Sequence, residues 1–348
     1  MEQSSRQRPT KRLPPTRREA LTGAGESLIR TDALHSGQGG MPLVVKPSVD
    51  GLDLIAWASQ NRNFVEASLI SRGAILFRDF KPLSVEEFEG FINATSDEWA
   101  EYREAATPRT HVSGNIYTST DYPAGQTIFL HNENSHCDSW PMKLYFLCLV
   151  PAERGGETPL ADCRKVYESI PLAVRENFRR KKIMYVRNYG DGLGLSWQVA
   201  FKTERKDEVD QYCGRAGIET AWTSGGLRTS YVREAVATHP RTGEVVWFNH
   251  GTFFHSSTLE PSLRETLLAE VGEENLPYST YYGDGSTIEP SVLDKLREIY
   301  RQETISFPWR KGDLLMVDNM LVAHGRAPYS GTRRIVVGMA EPFSGPGI

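Results

Sequence analysis

The chain of 348 residues is short of several features that would settle its class early. It has four cysteines, Cys137, Cys148, Cys163 and Cys213, and no Cys-x-x-Cys pair. That excludes a zinc ribbon and a thioredoxin-like redox site and points to a reduced setting. No stretch approaches the ~18 apolar residues needed to cross a bilayer; the longest run, residues 144–150, reads as a buried strand. No excess of positive charge exists either: Lys and Arg number 40 against 44 Asp and Glu, a net charge of -4. A dedicated nucleic-acid binder is therefore not expected. The first residues are polar and Arg-rich without an apolar core, so no secretory signal is read and a cytoplasmic location is expected. The Gly-rich stretch 188–194 lacks the Lys-Ser/Thr of a phosphate-binding loop and does not match Gly-x-Gly-x-x-Gly. No internal repeat is visible.

What is present organises as one domain behind a tail. Residues 1–40 are poor in large apolar side chains and rich in Arg, Pro, Ser and Thr, which predicts a mobile basic arm. Residues 41–348 are expected to form a single domain. It opens with helices over 51–63 and 63–71 and a short strand over 73–78. A helix over 84–92 follows, whose Ser84 and Glu87 have the spacing of a capping box. A long polar segment, 104–126, and the loop 188–200 are candidates for closing over a site. Further on, short strands alternate with turn residues and some helices. The fold class expected is mainly β with flanking helices (α+β), built on an antiparallel sandwich or barrel.

The chemistry concentrates in Phe129-Leu130-His131-Asn132-Glu133. An extended strand would project His131 and Glu133 from one face, because alternate side chains of a strand point the same way. An imidazole and a carboxylate so placed supply two of the three ligands of a 2-His-1-carboxylate site. His324 is the candidate third ligand. Each His taken alone is more often a surface or satisfied core residue; the neighbouring carboxylate sets His131 apart. His136, at i+5, would face the other way, and His250 and His255 lack such a carboxylate. Three ligands leave positions open, which suits a zinc hydrolase or a non-haem iron oxygenase, and ligand type does not separate them. Arg333 and Arg334 follow His324 after a Ser330-Gly331 turn. An inward-facing Arg there could grip a carboxylate with two parallel hydrogen bonds.

Taken together, His131-x-Glu133, Gly155-Gly156-Glu157-Thr158, Gly312-Asp313, Asp318-Asn319, His324 and Arg333-Arg334 resemble the TauD/TfdA family of Fe(II)/2-oxoglutarate-dependent oxygenases. The closer resemblance is to the SyrP-like branch associated with nonribosomal peptide assembly, and it covers most of the chain from about residue 73 to 343. It implies a double-stranded β-helix, or jelly roll. It implies Fe(II) held by His131, Glu133 and His324, with 2-oxoglutarate and O2 as co-substrates. Arg334 matches the family arginine on the distal carboxylate of 2-oxoglutarate, and Thr158 a threonine on that same carboxylate. Related halogenases carry Ala or Gly at the Glu133 position to make room for halide, so Glu133 speaks for an oxygenase. A further family Arg is Gly338 here, so known substrate contacts do not transfer.

The activity implied is hydroxylation of an unactivated C–H bond of an amino acid, free or presented by a carrier protein, in specialised-metabolite biosynthesis. Desaturation or ring closure by the same chemistry, a zinc hydrolase and a non-catalytic binding module are the alternatives. Arg109, His255 and Arg326 are candidate substrate contacts. The sequence sets no oligomeric state.

Overall fold

The computed structural model describes residues 28–34, 40–100, 110–119, 122–190 and 194–345. Its centre is an eight-stranded sheet threaded through the longest strand, Ser139–Val150. That strand is flanked by Leu314–Asp318 on one side and Arg334–Ser344 on the other, both antiparallel to it. Its middle is an unbroken run of buried residues rather than an alternating one, because both faces of the sheet are covered.

Strand periodicity then sorts side chains between two cores. Ile75, Phe77, Tyr145, Leu147, Leu314, Met316 and Val336 pack outward against the N-terminal helices, Leu54–Gln60, Arg62–Arg72 and Val85–Thr95. Leu76, Leu144, Phe146, Leu315, Val317, Ile335 and Val337 face the other way. There they meet a four-stranded sheet in the order Thr304–Ile305, Leu160–Asp162, Val322–Arg326, Ile128–His131. This sandwich is the expected jelly roll. The predicted Ser84–Glu87 capping box is also found: the Glu87 N–H donates to the Ser84 hydroxyl and the Ser84 N–H to the Glu87 carboxylate.

A third sheet, ordered Glu219–Thr223, Gly226–Arg233, Ile183–Gly190, Tyr278–Tyr282, is inserted between Leu160–Asp162 and Leu314–Asp318 and closes one side of the site. Its strand Ile183–Gly190 takes in the first three residues of the loop expected over 188–200. The boundary of the arm also moves. Ile29–Ala33, expected within the tail 1–40, pairs antiparallel with Leu43–Pro47 at the sheet edge, and Ile29 is buried there. The rest of 1–40, apart from Leu28, Leu34 and Gly40, lies outside the described residues. Of the segment 104–126, two short strands, His111–Ser113 and Ile116–Thr118, form a pair and extend the large sheet. Among the described residues, no helix is long and apolar enough to cross a membrane.

Candidate metal centre

Ile128–His131 and Val322–Arg326 pair antiparallel with His131 opposite His324, so both imidazoles rise from one face. Gly325 permits the close approach that follows: a Cβ there would lie 2.6 Å from the Ile128 carbonyl oxygen. The strand register slips just beyond that point. Glu133 arrives differently from expectation. The strand ends at His131, and Glu133 sits in the turn after it, where Asn134 adopts a left-handed conformation at φ 56°.

The three side chains nevertheless converge. Nε2 of His131 and Nε2 of His324 each lie 3.9 Å from the same carboxylate oxygen of Glu133. One ligating atom from each residue falls within 4.8 Å of the others. The donor set fits a divalent metal on chemistry as well as spacing. His131 Nδ1 lies 2.9 Å from the Phe129 carbonyl, which can only accept, so Nδ1 carries the proton and Nε2 presents its lone pair. Aromatic rings pack the imidazoles in place: Phe253 stacks on His131 at 4.6 Å and Phe146 lies 5.3 Å from His324.

Asn319 fixes the turn. Its Oδ1 accepts from the Glu133 N–H, and its Nδ2 donates to the carbonyls of Glu133 and Pro141. Asp318 holds Asn319 in turn, since its Oδ1 accepts from the N–H groups of Met320 and Leu321. Its Oδ2 meets His239 Nε2 at 3.1 Å. Because His239 Nδ1 accepts from Arg241 and Thr242 N–H, Nε2 is the donor in that pair. Arg78 grips Asp313 through two hydrogen bonds, 2.9 and 2.6 Å, and so anchors the start of Leu314–Asp318. Asn132 adds a bond from Nδ2 to the Asn319 carbonyl at 2.6 Å.

Thr158 is buried two residues before Leu160, the partner of His324 in the ladder. Its hydroxyl oxygen accepts from the Trp309 indole N–H at 3.1 Å. An indole N–H only donates, so the Thr158 proton remains available to an anionic oxygen. The arginine turned toward the segment that carries Thr158 is Arg333, bonded at Gly156, where the expectation named Arg334. Arg334 is exposed. Arg333 donates from Nε to the Gly156 carbonyl at 2.8 Å and from a terminal nitrogen to Ser119 Oγ at 3.2 Å. Met339, Val337 and Ile335 lie on the inner face and Val336 on the outer; the ladder shifts register between Arg334 and Ile335, and beyond that shift Arg333 is the half-buried residue and Arg334 the exposed one. Burial, then the nearby Arg326 cation, lowers the Arg333 guanidinium to about 10, which leaves it charged at neutral pH. Gly156, at φ 74°, is tight against it: a Cβ there would meet Arg333 Cδ at 3.0 Å.

The expected substrate contacts fare differently. Arg326 is buried, and its terminal nitrogens donate to the backbone carbonyls of Tyr122, Pro123 and Gln126 at 2.9, 2.6 and 3.0 Å. It therefore anchors a loop rather than facing a ligand. His255 caps a short helical turn, accepting from the Ser257 N–H, and does not line the cavity beside His131. Arg109 lies outside the described residues. That cavity, about 420 Å³, is bounded by Phe129, Phe253, Phe254, Tyr278, Leu259 and the loop that Arg326 holds. Its walls are mostly apolar and aromatic. His250 and His136 lie behind it, fully buried, and burial keeps both imidazoles neutral, well below the usual histidine range.

Comparison with known proteins agrees with this geometry. A family model described as taurine catabolism dioxygenase TauD, TfdA family, matches residues 36–340. The dapdiamide synthesis protein DdaC of Enterobacter agglomerans is 39% identical over 279 residues, 80% of this chain and 85% of that protein. A clavaminate synthase-like protein of Arabidopsis thaliana is 27% identical over 292 residues, with the same coverage of 80% and 85%. Among solved structures, PvcB is described as an Fe, alpha-ketoglutarate dependent oxygenase from an isonitrile synthetic pathway; it superposes with a TM-score of 0.53 at 17% identity, covering 91% of this chain and 94% of that one. At such identity the likeness is one of fold.

Proposed function

From the premise that the chain belongs to the TauD/TfdA family of dioxygenases, shown by the match over residues 36–340, we propose that it hydroxylates a C–H bond of an amino acid, free or carrier-bound, in the making of a specialised metabolite. It is a 2-oxoglutarate-dependent dioxygenase with an iron centre. The observation that carries the site assignment is the convergence of His131, Glu133 and His324 within 4.8 Å, the carboxylate being present.

His131, Glu133 and His324 would hold the iron, and Arg333 with Thr158 the distal carboxylate of 2-oxoglutarate. When bound, that pair supplies the oxidising chemistry: 2-oxoglutarate is decarboxylated to succinate with consumption of O2, and a hydroxyl is placed on carbon. The protein's share is placement. Asn319 and the Phe129 carbonyl set the ligands in position, and Phe146 and Phe253 keep water from the imidazole faces. The apolar wall formed by Phe129, Phe253, Phe254 and Tyr278 suits an aliphatic or aromatic portion of the substrate, held with its reacting carbon toward His131. The setting in specialised metabolism is supported by the relative named for dapdiamide synthesis.

The test is an anaerobic titration of the Fe(II)-loaded protein with 2-oxoglutarate, followed by assays with amino acids and their carrier-bound forms in air. A visible absorption band on adding 2-oxoglutarate is expected, then succinate in step with a product heavier by one oxygen. Bound iron with no band, or turnover that does not depend on O2, would refute the reading. A product lighter by two hydrogens would replace hydroxylation by desaturation.

A further inference from the structure

A second cavity, of about 320 Å³, shares no lining residue with the one beside His131. On its apolar side stand Trp140, Phe248 and Phe343, the Trp140 ring lying 5.0 Å from Phe248 and 5.7 Å from Phe343. Arg233 stands on the polar side. Residues of Gly226–Arg233 alternate in and out, and Arg233 ends the inward set of Leu227, Thr229 and Tyr231.

Arg233 is 6% exposed. Its terminal nitrogens donate to the carbonyls of Val232 and Ala216, at 3.1 and 2.8 Å, and its guanidinium lies 4.8 Å from the Tyr231 ring. Its Nε is buried without a hydrogen-bond partner among the described residues. No carboxylate is within ion-pair distance among the described residues: the adjacent Glu234 pairs instead with Lys182 at 2.7 Å. The Trp140 indole nitrogen, also buried, has no acceptor among the described residues either. A buried cation without an anion and a buried N–H without an acceptor are both costly. What both lack is an acceptor, and the rest of the wall offers aromatic surface together with Ser135, Thr238 and the mutually neutralised Lys182–Glu234 pair.

We propose that this cavity is a second small-molecule site, taking a small carboxylate that carries an aromatic or apolar ring. Arg233 is the anion anchor, and the ring lies among Trp140, Phe248 and Phe343. The position also suggests what an occupant does. Ser135 lines the cavity and its hydroxyl meets His250 Nδ1 at 2.7 Å, while Met320 lines it directly after Asn319. A ligand there bears on the turn that carries Glu133, so the site is suited to an effector. This inference does not depend on the substrate proposed above.

Calorimetric titration of the Mn(II)-loaded full chain with phenylacetate tests it. Saturable one-to-one binding is expected, with no displacement by 2-oxoglutarate. Phenylacetamide, which lacks the charge, and the Arg233→Gln variant should each weaken binding by about tenfold or more. Arg233 also holds two backbone carbonyls, so Arg233→Gln could unfold. Ala237→Phe, which fills the cavity and leaves those bonds alone, should abolish binding in a protein with an unchanged melting curve. Quenching of tryptophan emission by phenylacetate should vanish in Trp140→Phe. Absence of saturable binding, equal affinity for phenylacetamide, displacement by 2-oxoglutarate, or unchanged binding in Ala237→Phe would each overturn the proposal.

Discussion

Asn319 holds Glu133 by its backbone, and the carboxylate faces the two histidines: the Glu133 N–H donates to Asn319 Oδ1 at 2.8 Å, and Asn319 Nδ2 returns a bond to the Glu133 carbonyl at 2.9 Å. A residue 186 positions away thus does for the acidic ligand what strand pairing does for the two histidines. Asn319→Ala removes these two bonds and the one to the Pro141 carbonyl, and strands the buried N–H and C=O of Glu133, each worth about 1–3 kcal/mol when left unmade. The expected result is a folded protein whose Fe(II) or Mn(II) affinity is lower by about 10–100-fold, as for other groups that orient metal ligands. Metal titration under anaerobic conditions measures it. An unchanged dissociation constant would mean that the turn holds its shape without the clamp.

The two neighbouring arginines make opposite predictions. Arg333 is inward, charged and beside Gly156, whereas Arg334 points to solvent. Arg333→Gln should raise the KM for 2-oxoglutarate by about 10–100-fold, the loss expected for a charge-assisted pair. Arg334→Gln should leave it within about threefold, as surface charges usually do. Steady-state succinate formation at saturating substrate distinguishes them. The reverse pattern would restore Arg334 as the co-substrate anchor.

That pair also marks how far the sequence could be read. The three side chains that converge are legible because His131 and Glu133 stand close in sequence and His324 lies in a run with family spacing. The choice between Arg333 and Arg334 is not open to strand alternation from Ile335, Val337 and Met339, because the ladder shifts register between Arg334 and Ile335. Asn319 was visible only as half of a motif; its role depends on a contact that spans the sheet. The inserted sheet was hidden because Gly226–Arg233 and Glu219–Thr223 interleave Arg, Thr and Ser with apolar residues, so that their pattern looks polar until pairing shows which face is covered. Arg326 misled for a simple reason. An arginine two residues from a metal ligand reads as a substrate contact, and nothing local reveals that distant carbonyls absorb its donors.

Those carbonyls give Arg326 its own prediction. Tyr122, Pro123 and Gln126 bound the cavity or adjoin it, and the guanidinium is the shared tie between their segment and Val322–Arg326. Arg326→Met keeps much of the volume and removes the donors. Amide exchange in residues 122–128 should quicken, and the KM for the amino-acid substrate should rise with kcat and metal affinity little changed. Hydrogen-exchange mass spectrometry reads the first effect. A fall in kcat with unaltered exchange would instead place Arg326 in contact with the reacting groups.

His255 ties stability to pH. Burial, then the Arg297 and Arg264 cations, depresses its imidazole from 6.5 to about 4, and Nδ1 must stay unprotonated to accept from the Ser257 N–H. The unfolded chain therefore binds this proton more readily than the folded one, and stability rises with pH wherever that holds. The contribution is complete above about 6.5 and is lost as the pH falls toward about 4. Asn is a good cap and does not titrate here. His255→Asn should thus melt close to the wild type at pH 7.5, yet lose less of its melting temperature between pH 6.5 and 4.5. Parallel melting curves across that interval would show that His255 is protonated in the folded protein as easily as in the unfolded one, and that its cap survives the charge.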